Sequence, residues 1–157
     1  MMQRTLVLLK PDAVQRALVG EVLRRFEAKG LKLAGLKLMR VDEELAARHY
    51  AVHQGKPFYP GLIRFITSGP VVAVCLEGRK AVESVRRLTG ATDGAEAAPG
   101  SIRGDLGSST RFNLIHASDS PESAAAELAN FFRDDELVET GRESLRWLYD
   151  LSEGDPL

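Results

Sequence analysis

Residues 70–76, PVVAVCL, are almost wholly apolar. A strand with no polar alternation is buried on both faces and therefore runs through the middle of a sheet. Three further segments have strand character. Residues 4–10 are rich in Leu, Val and Thr and stop at Pro11, where Lys10, Pro11 and Asp12 make a polar turn. In residues 31–41 leucine and lysine alternate, and Gly35 shifts the phase as a bulge would, so this is a half-exposed second strand. Residues 112–116 form the fourth, ending on His116.

Helical signals separate these strands. Val19, Val22, Leu23 and Phe26 recur at helical spacing, with Gly30 as a C-terminal cap. Asp42 can cap a short helix, and Leu62, Ile63, Phe65 and Ile66 suggest another, lying over a cleft. Gly78 is expected to end the third strand, after which Val82, Val85 and Leu88 mark a helix. Ser120 as a cap and Pro121 at the first helical position announce the last one, whose apolar face includes Ala124, Leu128 and Phe131. Residues 90–111 hold five glycines and no sustained periodicity. So long an irregular loop in a small domain usually has a function. The order of elements contains the split βαβ pattern of ferredoxin-like folds.

A chain of 157 residues suits one domain with a real core, so residues 1–157 are read as a single unit. Residues 134–157, with few apolar anchors beyond Leu137, Val138, Trp147, Leu148 and Tyr149, are expected to be a surface strap or a contact with another subunit. The 21 basic and 22 acidic residues nearly cancel, and the basic ones form no extended patch with interleaved aromatics, so no nucleic-acid partner is expected. No apolar run approaches the about 20 residues that cross a bilayer. The N-terminal apolar stretch is too short for a signal peptide and reads as a strand. Cys75 is expected to be a buried structural thiol in a reducing compartment, and the protein is expected to be cytoplasmic.

His116 has the most chemical setting in the chain. It ends a strand just before a helix start, where anions are welcome, and the small residues Ala117 and Ser118 let a bulky anion approach. Glu127, three residues after Ala124 and beside Leu128, falls on the inward face of that last helix, where it can orient the imidazole and fix its tautomer; Ser118 is the other candidate partner. A neutral imidazole is a competent phosphoryl acceptor, and positioned cations would stabilise the transferring charge. Lys10, Arg86 and Arg103 flank the first strand and the glycine-rich loop. His49 and His53 stand four apart in HYAVH, a spacing able to hold zinc. The metalloprotease glutamate is missing and no third ligand is nearby in sequence, so a surface or core role is expected for both. There is no P-loop and no Rossmann glycine motif, so any nucleotide would be held without them.

The segments RTLVLLKPDAVQR, HYAVHQGKPFYPGL, TSGPVVAVCLEG, RRLTGATDGAEAAPGSIRGD and NLIHASDSPESA, in this order and spacing, resemble nucleoside diphosphate kinases over nearly the whole chain. The resemblance implies an α/β (α+β) fold, a ferredoxin-like βαββαβ sandwich whose four-stranded antiparallel sheet is covered by helices. It implies that His116 takes the γ-phosphate of ATP as a phosphohistidine and passes it to a nucleoside diphosphate in a ping-pong cycle that maintains nucleoside triphosphate pools. Lys10, Arg86, Thr92 and Arg103 match the phosphate contacts, Asn113 a group reaching the sugar, and Phe58 the ring on which the base stacks. Tyr50, Ser118 and Glu127 match positions that support the histidine. Mg²⁺ would be bridged by the nucleotide phosphates, with no metal held by the protein alone. A homo-oligomer is implied, with a hexamer favoured over a tetramer.

Three places depart from the family pattern. Ala117 follows the histidine where glycine is usual, Arg111 and Phe112 replace a usual Gly-Arg pair, and Ala17 stands for a usual glycine. None is a matched nucleotide contact. Two other readings predict different residues. A ligand-sensing module would be expected to lack His116, Lys10 or the arginines, and a protein-histidine phosphotransfer component would not need Phe58, Thr92 or Arg103.

Overall fold

The strand at the centre of the computed structural model is β1, Met2–Leu9, and residues 2–141, 143–150 and 152 are described. It pairs antiparallel along its whole length with β3, Val71–Arg79, from Met2 opposite Arg79 to Leu9 opposite Val72. On its other side it pairs with β4, Ile115–Ala117. β2, Lys32–Met39, adds to the far side of β3, so the sheet order is β2-β3-β1-β4. The β2 register shifts between Leu33 and Gly35, at the expected bulge.

The pleat divides the core into two layers. Val7 and Leu9 join Val72, Val74, Leu76, Ile115 and Ala117 beneath α2, Val19–Ala28, and α5, Ala81–Thr89. Leu6 and Leu8 join Val71, Ala73 and Cys75 on the opposite face, under α3, Glu43–His49, α4, Tyr59–Ile66, and α7, Pro121–Phe131. Helices on both faces explain why the two inner strands lack polar alternation. Removing a fully buried leucine such as Leu6 or Leu8 would cost about 2–5 kcal/mol. The helix starts follow local chemistry: the Asp42 side chain accepts from Leu45 N at 2.8 Å, and the Ser120 hydroxyl accepts from Ser123 N at 3.0 Å ahead of Pro121.

Several elements differ from those read in the sequence. β3 does not end at Gly78 but runs through it to Arg79. The glycine is there for space, because a Cβ would come within 2.8 Å of the Leu31 side chain. The fourth strand begins at Ile115, not at position 112, because Leu114 is turned to φ 71 and residues 112–114 bend away. The glycine-rich loop contains a short helix, α6, Ile102–Leu106, capped by Ser101, and the turn after β1 is itself helical, α1, Pro11–Gln15.

The chain after α7 returns to the sheet. Val138 N donates to the Ala34 carbonyl at 2.7 Å, Lys37 pairs with Glu136 at 2.8 Å, and the Tyr149 hydroxyl accepts from Arg79 N at 3.1 Å. Met1 and, within the expected strap, residues 142, 151 and 153–157 lie outside the described residues. Among those described, no helix is long and apolar enough to cross a membrane. Cys75 is buried and unpaired, and burial pushes its thiol up to about 11.

Candidate active site

Strand alternation decides which way His116 faces. Ile115 and Ala117 turn toward α2 and α5, so His116, like its cross-strand partner Leu8, turns toward α3 and α7. On that side His116 Nε2 lies 3.0 Å from Glu127 Oε2. The same carboxylate oxygen accepts a short hydrogen bond from the Ser118 hydroxyl, which also lies 3.4 Å from the Leu6 carbonyl of the central strand. Burial works against the charge of Glu127, but the bonds from His116 and Ser118 outweigh it and hold the carboxyl below its ordinary range. An ionised carboxylate only accepts, so in the neutral ring the proton sits on Nε2 and the lone pair is on Nδ1.

Aromatic packing fixes the ring from behind. His49, the last residue of α3, meets His116 edge to face with centroids 4.5 Å apart, and meets Phe131 of α7 at 5.3 Å. Burial and the neighbouring His116 push the His49 imidazole down to about 3, so it stays neutral. Neither of its ring nitrogens has a hydrogen-bond partner among the described residues. Tyr50 stacks on His49 at 4.6 Å, and its phenol is pushed up to about 12 by burial and by Glu127. Phe58 stands at the rim, half exposed, with its ring 5.4 Å from His53.

A second network holds the backbone leading into β4. The Lys10 ammonium makes a short hydrogen bond to Asn113 Oδ1, and Asn113 Nδ2 donates to the Thr92 carbonyl at 2.9 Å. Ile115 N donates to the Asn113 carbonyl at 2.8 Å across Leu114, a tight γ-turn whose positive φ is strained for leucine. Asp12 Oδ2 accepts from Leu114 N at 3.0 Å, and Lys10 N donates to the Leu114 carbonyl at 2.8 Å. The buried Arg103 guanidinium clamps the same bend, donating to the carbonyls of Asn113, Gly90 and Ile115 at 3.1, 3.2 and 2.6 Å. Arg86 reaches the Ala117 carbonyl at 3.4 Å.

Lys10 and Arg103 have only Asp12 near them as counter-charge, and none of these cations is bonded to a carboxylate. Burial pushes Lys10 down to about 8, with Asp12 opposing and Arg103 adding to the fall. Burial and the nearby Arg86 push Arg103 down to about 10. Among the described residues none of Lys10, Arg86 and Arg103 forms an ion pair with a carboxylate. Positive charge that is hydrogen-bonded to neutral oxygens but not neutralised by a bonded carboxylate is a place for an anion.

The sequence-predicted residues therefore fall into linked groups. His116, Ser118 and Glu127 are directly bonded, with Tyr50 joined through His49; Lys10, Asn113, Thr92 and Arg103 share one bonded set around the γ-turn. Arg86 reaches the Ala117 carbonyl and Phe58 the His53 ring, and neither bonds to the side chains of either group. Sequence reasoning missed His49, whose adjacency to Tyr50 was the available signal. It also missed Asp12 as a brace, although Asp12 sits in the turn it named, and the Leu114 bend, for which leucine offers no signal. Of the departures, Phe112 packs edge-on against Phe65 at 5.1 Å, and the Arg111 guanidinium lies over Gly61 of α4, where a Cβ would come within 3.1 Å of it.

Fold and site together describe a ferredoxin-like domain that holds a carboxylate-backed imidazole and cations bonded to no carboxylate. The family model for nucleoside diphosphate kinase matches residues 3–137. A nucleoside diphosphate kinase of Thermomicrobium roseum is 59% identical over 147 residues, 94% of this chain and 99% of that protein. The solved structure of a halophilic nucleoside diphosphate kinase from Halobacterium salinarum in complex with CDP superposes with a TM-score of 0.93 at 53% identity, covering 96% of this chain and 100% of that one. A transition-state mimic of the Borrelia burgdorferi enzyme with bound vanadate and ADP gives 0.86 at 37% identity, covering 92% and 95%. This chain belongs to the nucleoside diphosphate kinase family.

Proposed function

We propose that His116 is the residue through which this nucleoside diphosphate kinase moves phosphate, and that residues 1–157 act as one catalytic domain with 134–157 as its strap. The observation that carries the reading is the bond from His116 Nε2 to Glu127, which leaves the lone pair on Nδ1, in a fold whose buried Lys10 and Arg103 are bonded to no carboxylate. In the first half-reaction Nδ1 attacks the γ-phosphorus of ATP, the bond from phosphorus to the bridging oxygen breaks, and ADP departs. Glu127 keeps the Nε2 proton and balances the positive charge that develops on the ring. In the second half-reaction the terminal oxygen of another nucleoside diphosphate attacks the same phosphorus and the ring is regenerated.

Lys10, Arg86 and Arg103 supply the positive field for the phosphates, Thr92 and Asn113 position phosphate and sugar, and Phe58 offers a face for the base. Stacking reads no hydrogen-bond code, so one cleft serves purines and pyrimidines. Tyr50 and Ser118 hold His116 and Glu127 in place. The only grouping of His, Cys, Asp and Glu donors close enough for a metal, among the described residues, mixes two imidazoles with one carboxylate and does not suit Mg²⁺, which prefers oxygen. That fits Mg²⁺ arriving on the nucleotide, where it would neutralise the phosphate oxygens while the three cations hold those phosphates. The absence of a long apolar helix among the described residues and the buried free thiol support a cytoplasmic site of action. Leu36 and Leu38, exposed on the edge strand β2, support a homo-oligomer, for which six subunits is the reading adopted.

The test is incubation with γ-labelled ATP and Mg²⁺, against His116→Ala, followed by a chase with unlabelled GDP. The expected result is an acid-labile, alkali-stable label on the native chain alone that passes to GTP. A native chain that binds nucleotide without forming the label overturns the reading, and a label that cannot be chased to GDP points to protein phosphotransfer.

A further inference from the structure

We propose that His49, His116 and Glu127 form a binding site for a divalent cation of the zinc class, and that its occupancy switches off the nucleophile. The three side chains come from α3, β4 and α7, and one donor atom from each lies within 4.8 Å of the others. The spacing in HYAVH would allow His49 to pair with His53 on a metal, although a surface or core role is what the sequence predicts for both. The fold instead sends His53 toward Tyr50 and Phe58 and seats His49 against the reacting histidine.

Donor chemistry decides the class of ion. Two imidazoles and a carboxylate are the protein ligands of many catalytic zinc centres, with a fourth position open to water, and they favour Zn²⁺, Cu²⁺ or Ni²⁺ over Mg²⁺. The 3.0 Å between His116 Nε2 and Glu127 Oε2 is close to the about 3.3 Å edge of a tetrahedron with zinc-like bond lengths. With the donors no more than 4.8 Å apart, a movement of at most about 1.5 Å by His49 would complete the three-ligand face. Two further features suit the site. Both His49 ring nitrogens are sealed from solvent without a partner, so His49 gives up no hydrogen bond, and the one bond replaced is that between His116 and Glu127. The Ser118 hydroxyl bonded to Glu127 orients the carboxylate, as outer groups commonly do for metal ligands.

The consequence for His116 follows from its two nitrogens. A cation bound at Nε2 displaces the proton there to solvent, and the neutral ring takes one up at Nδ1, so the lone pair that would attack phosphorus is lost. A cation bound at Nδ1 occupies that lone pair directly. Occupancy by the metal and phosphorylation are therefore alternatives. This inhibitory step rests on His116 being the nucleophile, whereas the binding site does not.

Binding is measured first, on the metal-free full chain without nucleotide, using Co²⁺ as the spectroscopic probe and Zn²⁺ as its competitor. One equivalent of Co²⁺ should give the intense visible band of tetrahedral coordination, removed by Zn²⁺. His49→Phe, which keeps a ring against His116 and Phe131 but no donor, should lose the band and weaken Zn²⁺ at least about 10-fold, while His53→Phe keeps both. If His49→Phe does not fold, the ring ¹⁵N shifts of His49 and His116 in the native chain report the same contact, and both should move on adding Zn²⁺. Absence of the band, its survival in His49→Phe, or unmoved ring nitrogens overturns the site. Zn²⁺ should then suppress label formation from γ-labelled ATP at saturating Mg²⁺, and chelation should restore it. Tight binding that leaves labelling unchanged overturns the inhibitory step alone.

Discussion

At the scale of single residues, the site is organised at the expense of stability. Lys10 is almost fully buried beside Arg103, and burial brings its ammonium down from 10.5 to about 8. Between those values the unfolded chain holds the proton more firmly than the native one, so this group's contribution to stability rises with pH from about 8 to 10.5 and is most unfavourable below 8. Lys10→Met should therefore stabilise the nucleotide-free protein at pH 7 by a few kcal/mol, taking about 1.4 kcal/mol per pKa unit, and abolish phosphorylation. The gain should shrink as pH rises through this window. Urea unfolding at pH 7, 9 and 10 checks it, and a gain independent of pH would show that Lys10 is not the strained group. Arg103 is different, because its fork satisfies three backbone carbonyls at once. A lysine there cannot reach all three, so Arg103→Lys should lose stability by about 1–3 kcal/mol for a carbonyl left unbonded, read as a lower unfolding midpoint at pH 7.

At the scale of elements, the turns explain both strain and what could be read in advance. After α1 the amides of Ala17 and Leu18 bond back to the carbonyls of Val14 and Ala13 at 3.1 and 3.0 Å, a helix-ending motif that places Ala17 at φ 56. Glycine has no Cβ to object there, which accounts for its being usual in the family. Ala17→Gly should relieve about 1–2 kcal/mol of left-handed strain and lose about 0.5–1 kcal/mol to chain entropy, a net gain of up to about 1.5 kcal/mol in urea unfolding with no change in phosphorylation rate. Where local chemistry alone sets an element, as with the Asp42 and Ser120 caps or the Gly35 bulge, the sequence shows it. Where a distant residue sets it, the sequence is silent: β3 runs past Gly78 because Gln3 and Met2 of β1 pair with Gly78 and Arg79, and β4 starts late because Asp12 and Lys10 hold the Leu114 bend. The site divides the same way. The inward placement of Glu127 followed from helical spacing within α7, whereas His49 against His116 depends on how α3 crosses the sheet.

At the scale of the whole molecule, the sheet has an edge strand, β2, that the described residues cover only in part, around Ala34 and Lys37. Leu36 and Leu38 lie opposite Val74 and Val72, so they stand on the face of α2 and α5, yet 50% and 67% of their surface is open to solvent. Native edge strands usually carry charge or short length to prevent pairing, and two exposed leucines on β2 do the reverse. Association through this edge should give a particle six times the 17.2 kDa chain in sedimentation equilibrium. A particle of four chains would select the tetramer, and a monomer at micromolar concentration would remove the oligomer reading. Because association stabilises only the folded chain, the melting temperature of the native protein should rise with its concentration. Leu38→Lys places a charge on the edge without touching either core layer, so it should yield smaller particles whose melting temperature no longer depends on concentration. If the charge leaves the mass unchanged, the contact that holds the assembly lies elsewhere, and the exposed Trp147 in the strap is the next surface to vary.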